Sequence, residues 1–407
     1  MPTLHPLCPL PVANIACLGV IAVLTLGTGC TKRGASGREQ PVPAEFPQLR
    51  VLWSVSGEDI YSGGWIPLDP TGTVFLLDPE RHAPFALSVK TGRRLWAAEA
   101  DPKVPVAPSS PYSVRTFDLS LADKVLVLGT TGYVAAYRTD DGKRLWSRSD
   151  PRCHAGESGG HNLRLLYRKK SGFTDRIVNA ATGEDVAVVE PTPVDKRATY
   201  PKYRVTLGRD VFLVARDNET KLEGRPLRAG LPSWRVELPP KSIDDGESDV
   251  RILFVDGVFI WLGGPMIALD ESTGRRLWER TLSRPHREEA AGDMLLVMEG
   301  NGLVKLDARS GAVREQYLVP SLPNQRAPFR LLASGDRVAL VEEVWRHWEL
   351  LPLGSENGYV VAWTAGAPAP IISLRPARTS AFALVGDVLL AAPGDDDQLF
   401  ALDLPRH

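Results

Sequence analysis

The hexapeptide TGRRLW stands at Thr91–Trp96 and again, letter for letter, at Thr273–Trp278. An ordinary core has no use for a literal copy about 180 residues downstream, because each part of it packs differently; a repeat architecture does. Alignment on the glycine of that hexapeptide brings out further units. The strong ones are FALSVKTGRRLW (Phe85–Trp96), AAYRTDDGKRLW (Ala135–Trp146) and IALDESTGRRLW (Ile267–Trp278). RIVNAATGEDVAV (Arg176–Val188) and LVKLDARSGAVRE (Leu303–Glu315) are weaker, and LRAGLPSWRV (Leu227–Val236) and LGSENGYVVAW (Leu353–Trp363) are degenerate.

Each part of the unit has a physical reason. The stretch before the turn alternates apolar and polar residues at period two, as a half-buried strand does. Asp270, Asp307 and Asn179 stand where a short polar side chain bonds back to the turn backbone. Gly92, Gly142, Gly183, Gly274 and Gly311 stand where the turn calls for positive φ. A second strand then carries Trp96, Trp146 or Trp278 four residues later. Each such indole can bury roughly 200 Å² if it packs between neighbouring sheets. Another apolar run lies upstream of each turn, as in KVLVLGTTG (Lys124–Gly132) and DMLLVMEGNG (Asp293–Gly302), and helical spacing is nearly absent after Leu26. The unit is therefore a small antiparallel sheet of about four strands, repeating every 44 residues or so, as propeller blades do.

The final strands fall at Trp53, Trp96, Trp146, near Val186, Trp234, Trp278, near Val313 and near Trp363. The chain stops at LFALDLPRH, one strand short of a full unit, and the missing strand stands at the other end as RVLWSV (Arg50–Val55). Pairing that strand into the last blade would remove an open edge. The expectation is an all-β, eight-bladed propeller of four-stranded antiparallel blades closed by the N-terminal strand, with seven blades as the alternative.

The pattern A-x-D-x-x-T-G-x-x-x-W resembles the pyrroloquinoline-quinone-type (PQQ-like) propeller repeat, from Arg50 to the end of the chain. Lipid-anchored members of that group include the BamB family of outer-membrane assembly factors. The chain is similar to it in size, tether and expected blade number. Quinoprotein dehydrogenases also carry the repeat. The resemblance to them would imply adjacent cysteines against a quinone and a carboxylate-bound calcium, but Cys153 stands alone.

The formal net charge is -1, which argues against a nucleic-acid partner. Val12–Leu26 is an apolar run of about 15 residues, short for a membrane span. With Gly27-Thr28-Gly29 and Cys30 behind it, the segment resembles a bacterial lipoprotein signal peptide. That implies removal of residues 1–29 and a lipid on Cys30; a plain secretory signal and an uncleaved anchor are the other readings. Residues 30–48, polar and rich in Gly and Pro, read as a tether, and residues 49–407 as the propeller domain. Cys8 and Cys17 would leave with the signal, so no disulfide within the domain is expected.

Several stretches look chemical. CHAGESGGH (Cys153–His161) contains G-x-S-x-G, but a nucleophile elbow needs a strand-turn-helix. Three candidate metal ligands in one Gly-rich stretch are also a weak signal, so it reads as a connection between blades two and three. Asp244-Asp245-Gly246-Glu247 and Asp395-Asp396-Asp397 read as solvated turns rather than calcium sites. DKRATYPKYR (Asp195–Arg204) places Lys196 and Arg197 beside Tyr200 and Tyr203, and Trp345-Arg346-His347-Trp348 interrupts the seventh unit. Both are candidate partner surfaces, with Trp345 and Trp348 as a platform. No nucleophile, base and oxyanion site assembles from the sequence, and no cofactor is expected. The functional expectation is a non-catalytic, lipid-anchored envelope scaffold, monomeric or within a complex, binding a protein or glycan. It would face the periplasm from the outer membrane, or lie at the cell surface of a host with one membrane. A BamB-like assembly subunit and a quinone-dependent dehydrogenase are the alternatives.

Overall fold

The computed structural model describes residues 49–56, 66–78, 80–104, 118–130, 132–169, 172–189, 203–216, 221–239, 251–262, 265–281, 285–299, 302–320, 329–342, 358–365, 370–375, 379–393 and 398–405. The chain divides into two units, Met1–Ala44 and Glu45–His407, and every described residue belongs to the second. Signal, Cys30 and tether lie outside the described residues.

The domain opens with β1 (Arg50–Ser56). Blade 1 is β2 (Leu68–Asp69), β3 (Thr73–Asp78), β4 (Ala83–Ser88) and β5 (Arg94–Ala97). Blade 2 is β6 (Asp118–Ala122), β7 (Val125–Thr130), β8 (Tyr133–Arg138) and β9 (Arg144–Ser149). Blade 3 is β10 (Cys153–Gly159), β11 (Asn162–Lys169), β12 (Gly172–Asn179) and β13 (Asp185–Val189). Blade 4 is β14 (Tyr203–Leu207), β15 (Val211–Arg216), β16 (Lys221–Pro226) and β17 (Trp234–Glu237). Blade 5 is β18 (Arg251–Val255), β19 (Val258–Leu262), β20 (Met266–Asp270) and β21 (Arg276–Arg280). Blade 6 is β22 (Pro285–Ala291), β23 (Met294–Glu299), β24 (Gly302–Asp307) and β25 (Val313–Leu318). Blade 7 is β26 (Phe329–Ser334), β27 (Arg337–Glu342), β28 (Gly358–Thr364) and β29 (Ile371–Arg375). Blade 8 is β30 (Thr379–Val385), β31 (Val388–Pro393) and β32 (Gln398–Asp403), completed by β1.

The eight four-stranded sheets make an eight-bladed propeller, so the seven-bladed alternative falls away. β1 pairs antiparallel with β32, placing Trp53 opposite Ala401, so the two ends of the domain share a blade. Within each blade the first strand is innermost and the fourth outermost. The core is not one mass but eight clusters, each seated between two successive blades. That follows from the strand pattern: both faces of every sheet are covered by a neighbouring blade, so the middle strands read as continuous apolar runs.

The repeat motif locks these interfaces. Indole Nε1 of Trp53, Trp96, Trp146, Trp234 and Trp278 donates to the carbonyls of Val89, Thr139, Ala180, Glu271 and Ala308, at 2.7, 2.8, 2.7, 2.9 and 2.8 Å. Each acceptor lies in the turn of the next blade, and the ring lies against that turn's glycine: Gly92, Gly142, Gly183, Gly274 and Gly311 in turn. All five glycines have positive φ, from 67° to 74°. The turns are tied internally as well, since Oδ1 of Asn179, Asp270 and Asp307 accepts from amides two or three residues on.

Three blades lack the indole. Trp96 stands opposite Ala86 in its ladder, and the equivalent ladder positions carry Ala187, Glu315 and Ile371 in blades 3, 6 and 7. Trp363, expected in a final strand, lies instead in the third strand of blade 7. Its indole, 2% exposed, packs back on Tyr317 of blade 6, with centroids 5.6 Å apart, so here the ring comes from the opposite blade. Glu315 pairs with Lys305 at 3.4 Å. Between blades 3 and 4, Arg164 Nε bonds the fully buried carboxylate of Asp175 at 2.6 Å and reaches the Val205 carbonyl at 3.4 Å. Between blades 7 and 8, Arg337 is fully buried and bonds the carbonyls of Leu404 and Pro405 at 3.3 and 2.9 Å. Leu404 occupies the place in its turn that Thr139 and Glu271 occupy in theirs, so arginine does there what indole does elsewhere.

Candidate functional site

Charge gathers on the innermost strands of blades 3 to 7. Glu157 lies on β10, Arg204 on β14, Arg251 on β18, Glu288 and Glu289 on β22, and Arg330 on β26. Successive innermost strands in this sector contact one another, so these side chains share one central wall. Arg251 Nη1 bonds Glu288 Oε2 at 3.1 Å across blades 5 and 6, and the Glu288 carboxylate is almost wholly buried. Glu289 faces the fields of Arg330 and Arg251, and Glu157 those of Arg164 and Arg204. Burial pushes both carboxyls above the usual carboxylate range, and the arginines offset only part of it. Glu157 is solvent-accessible and still desolvated, the environment of a side chain on a narrow lumen wall.

These shifts have a testable sign. A carboxyl whose folded pKa is raised favours the fold below its unfolded pKa, near 4.3, and that contribution is lost as pH rises through the folded value. Glu157→Gln and Glu289→Gln are therefore expected to raise the melting temperature at pH 7.5 and to leave it nearly unchanged at pH 4. Thermal melts at the two pH values check this, and a lower melting temperature at pH 7.5 would contradict it.

The Cys153–His161 stretch is not a connection between blades. Cys153–Gly159 is β10, the innermost strand of blade 3. Gly159 answers to close approach, since a Cβ on it would stand 2.6 Å from Leu207 Cβ and 2.8 Å from the Leu207 carbonyl on blade 4. The chemistry the stretch suggested is dispersed. Ser158 Oγ donates to the Leu121 carbonyl at 2.7 Å. Cys153 is buried and its thiol is pushed up by desolvation, the opposite of an activated nucleophile. His161 Nδ1 lies 3.2 Å from Asp123 on the neighbouring blade. Among the described residues no three His, Cys, Asp or Glu side chains are grouped to hold a metal.

The candidate partner surfaces fare differently. Lys196, Arg197, Tyr200, Trp345 and Trp348 lie outside the described residues, as do both acidic clusters. Tyr203 is no surface residue: it is 5% exposed in the cluster between blades 3 and 4, and its hydroxyl donates to the Phe173 carbonyl at 3.4 Å. Burial, with Asp175 beside it, pushes the phenol well up. The sequence reading missed Arg251, Glu288, Glu289 and Arg330. The available signal was charge inside the weak first strands RILFV, PHREEAA and FRLLAS, where a solvated loop would carry it as readily.

A second polar cluster closes the joint between blades 1 and 2. Tyr133 hydroxyl donates to Asp101 Oδ2 at 2.7 Å, and Arg144 pairs with the same carboxylate. Burial works against the Asp101 charge, but these bonds and the Lys103 amide outweigh it and hold the carboxyl below its usual range. The group is internally satisfied and braces a linker.

Comparison with known proteins places this geometry. BamB from Moraxella catarrhalis superposes with a TM-score of 0.51 at 14% identity, over 87% of this chain and 99% of that one. A computationally designed protein, Ika8, superposes with 0.54 at 12% identity, again over 87% and 99%. A quinohemoprotein alcohol dehydrogenase from Pseudomonas putida HK5 gives 0.48 at 11% identity, over 88% of this chain and 76% of that one, too loose a likeness to bear on activity. No curated protein matches the sequence. The family model described as "Outer membrane protein assembly factor BamB" matches residues 50–200 and 226–405. Matched over most of its length and built from the PQQ-type blade, the chain belongs to that propeller family.

Proposed function

We propose that the chain is a non-catalytic scaffold of the cell envelope that holds protein partners, and that it serves as a subunit assisting β-barrel assembly in the outer membrane. The family match over both halves of the propeller carries this reading. The mechanics agree with it. Eight interfaces, each cored and most of them stapled, give a frame whose loops and edges are held in fixed relation, which lowers the ordering cost of binding. Lipid on Cys30 would hold that frame at the membrane, with residues 31–48 as its tether. The lumen charges fit a structural belt, because the glutamates of blades 3 and 6 stand in the fields of arginines on neighbouring blades.

The test is in vivo crosslinking of the tagged full chain in its own host, followed by mild detergent extraction. Enrichment of the outer-membrane β-barrel insertion machinery is expected. Recovery of the chain free of any envelope protein would contradict the proposal. So would a redox cofactor that survives purification and turns over.

A further inference from the structure

Lys305 breaks the pattern of the third strands. At the place that faces the indole position across the ladder, five blades carry alanine, and two carry Ile177 and Gly224. Blade 6 puts Lys305 there, with Glu315 opposite in place of tryptophan. Leu303, two residues back on the same face, packs in the cluster between blades 6 and 7, so the lysine side chain enters that interface. It is 13% exposed, and beside it lies a cavity of about 200 Å³. The walls are the first turn of blade 6, from Gly292 to Met294, and the first turn of blade 7, from Ala333 to Gly335, with Lys305 and Val338 between them. Corresponding turns meet across blades 2 and 3 through Asp123 and His161, across 4 and 5 through Arg209 and Asp256, and across 7 and 8 through Ser334 and Gly386. Across blades 6 and 7, a Cβ added to Gly292 or Gly335 would meet nothing within 4 Å.

The polar groups of this cavity have spare capacity. The Lys305 ammonium bonds Glu315 at 3.4 Å, a carboxylate that the Tyr317 hydroxyl also serves, and among the described residues no second acceptor meets its other two protons. Ser334 Oγ accepts from the Gly386 amide at 3.0 Å, so its own proton is left to donate. Asp293, exposed at the mouth, feels the field of Arg314 but has no bonded partner among the described residues. The inner wall therefore offers donors, and the mouth offers a carboxylate. Charge narrows the choice of ligand. At this end of the blades Arg309, Arg314 and Arg337 are engaged by Asp270, Asp307 and Asp387. That leaves Lys305 against Glu315, Asp293 and Asp336, a surplus of acid that disfavours a bare anion.

We propose that this cavity is a binding site for a small zwitterion, an α-amino acid with a short aliphatic side chain. Its carboxylate would meet Lys305 and the Ser334 hydroxyl, its ammonium would meet Asp293, and its side chain would lie on Met294 and Val338. Such a ligand adds no net charge to an acidic pocket and satisfies donors that are costly to leave unmet when buried. A carboxylate alone would have no answer to the acid surplus. An amine alone would leave the lysine and serine protons without an acceptor. The site opens where the repeat gives up its own indole, so the cavity and the charged pair beside it have one origin.

The probe is L-valine, titrated against the purified full chain and followed by saturation-transfer-difference NMR. Saturable binding is expected, with a Kd of about 1 mM or tighter for a ligand of this size. It should be weakened at least about tenfold for isovalerate, which lacks the ammonium, and for isobutylamine, which lacks the carboxylate. Lys305→Met and Asp293→Asn should each weaken valine binding by at least about tenfold as well. Asp293 lies exposed in a turn and the two analogues need no variant, so an unfolded Lys305→Met protein would leave the test intact. No saturable binding at about 10 mM valine overturns the proposal. An analogue that binds as tightly as valine also overturns it, by reducing the site to an anion or amine trap. Valine binding that Asp293→Asn leaves unchanged does the same, by placing the ligand elsewhere on the chain. These outcomes concern the purified chain alone, so they neither require nor upset the scaffold reading.

Discussion

Replacing Arg337 with methionine is expected to lower the unfolding free energy by about 3–5 kcal/mol, the usual result of removing one partner from a buried charge pair. The guanidinium is 1% exposed and lies 3.3 Å from Asp387. It also contacts Thr364 Oγ1 and bonds the carbonyls of Leu404 and Pro405. Methionine fills part of the volume but leaves those carbonyls without a donor and Asp387 without its cation. Both losses fall at the interface that holds the C-terminal strand, one of the two whose described core holds no indole. Adding Asp387→Asn to Arg337→Met should recover part of the loss, because it removes the charge that faced the guanidinium at 3.3 Å. Urea unfolding followed by tryptophan fluorescence measures all three proteins. A loss below about 1 kcal/mol would mean that the arginine merely fills space and that this interface is held by apolar contact alone.

Arg337 also marks the limit of what the sequence discloses. It opens RVALVEEVW, and at the equivalent position other blades carry Val125, Val211, Val258 and Val388. A lone arginine before an apolar run reads as a solvated charge, because nothing local reports that the acceptors arrive from 67 and 68 residues away. The five indole staples were legible for the opposite reason. Four of them stand in a local pattern, a glycine at positive φ with a tryptophan four residues on, and repetition turns it into a rule; Trp53 was placed as the strand missing from the last unit. The blade count and the closing strand followed from the same rule. The first strands were obscured because one side of them faces the lumen, so they neither alternate cleanly nor run apolar. Cys153–Gly159 shows this at its extreme: Gly159, which reads as part of a loop, is there because Leu207 of the next blade comes too near for a side chain. Trp363 was misplaced because blade 7 keeps an indole at its interface but sends it from the third strand.

Trp234→Ala is expected to cost about 3–5 kcal/mol, as large-to-small changes of buried aromatics do. The indole is the most buried of the five staples, 8% exposed, and lies between two glycines. A Cβ on Gly224 of its own blade would stand 2.1 Å from Trp234 Cε2, and one on Gly274 of the next blade 2.3 Å from Cε3. If those glycines are there for the ring, their substitutions must be coupled to it. Gly274→Ala alone should bear two costs: roughly 1–2 kcal/mol for a side chain at φ +67°, and the collision with the indole. With Trp234→Ala already in place, only the backbone cost should remain. The double variant should then fall short of the sum of the singles by about 1–2 kcal/mol. Gly292 supplies the control, with φ +63° and nothing within 4 Å of an added Cβ. Gly292→Ala should bear the backbone cost alone and add to Trp234→Ala within about 0.5 kcal/mol. Equal additivity for the two glycines would mean that the turn selects glycine for its φ alone. The staple would then be a hydrogen bond with an indole attached rather than a ring fitted to a turn. The predicted difference between the two cycles isolates the packing contribution, because both alanines sit at nearly the same φ and only one of them meets the ring.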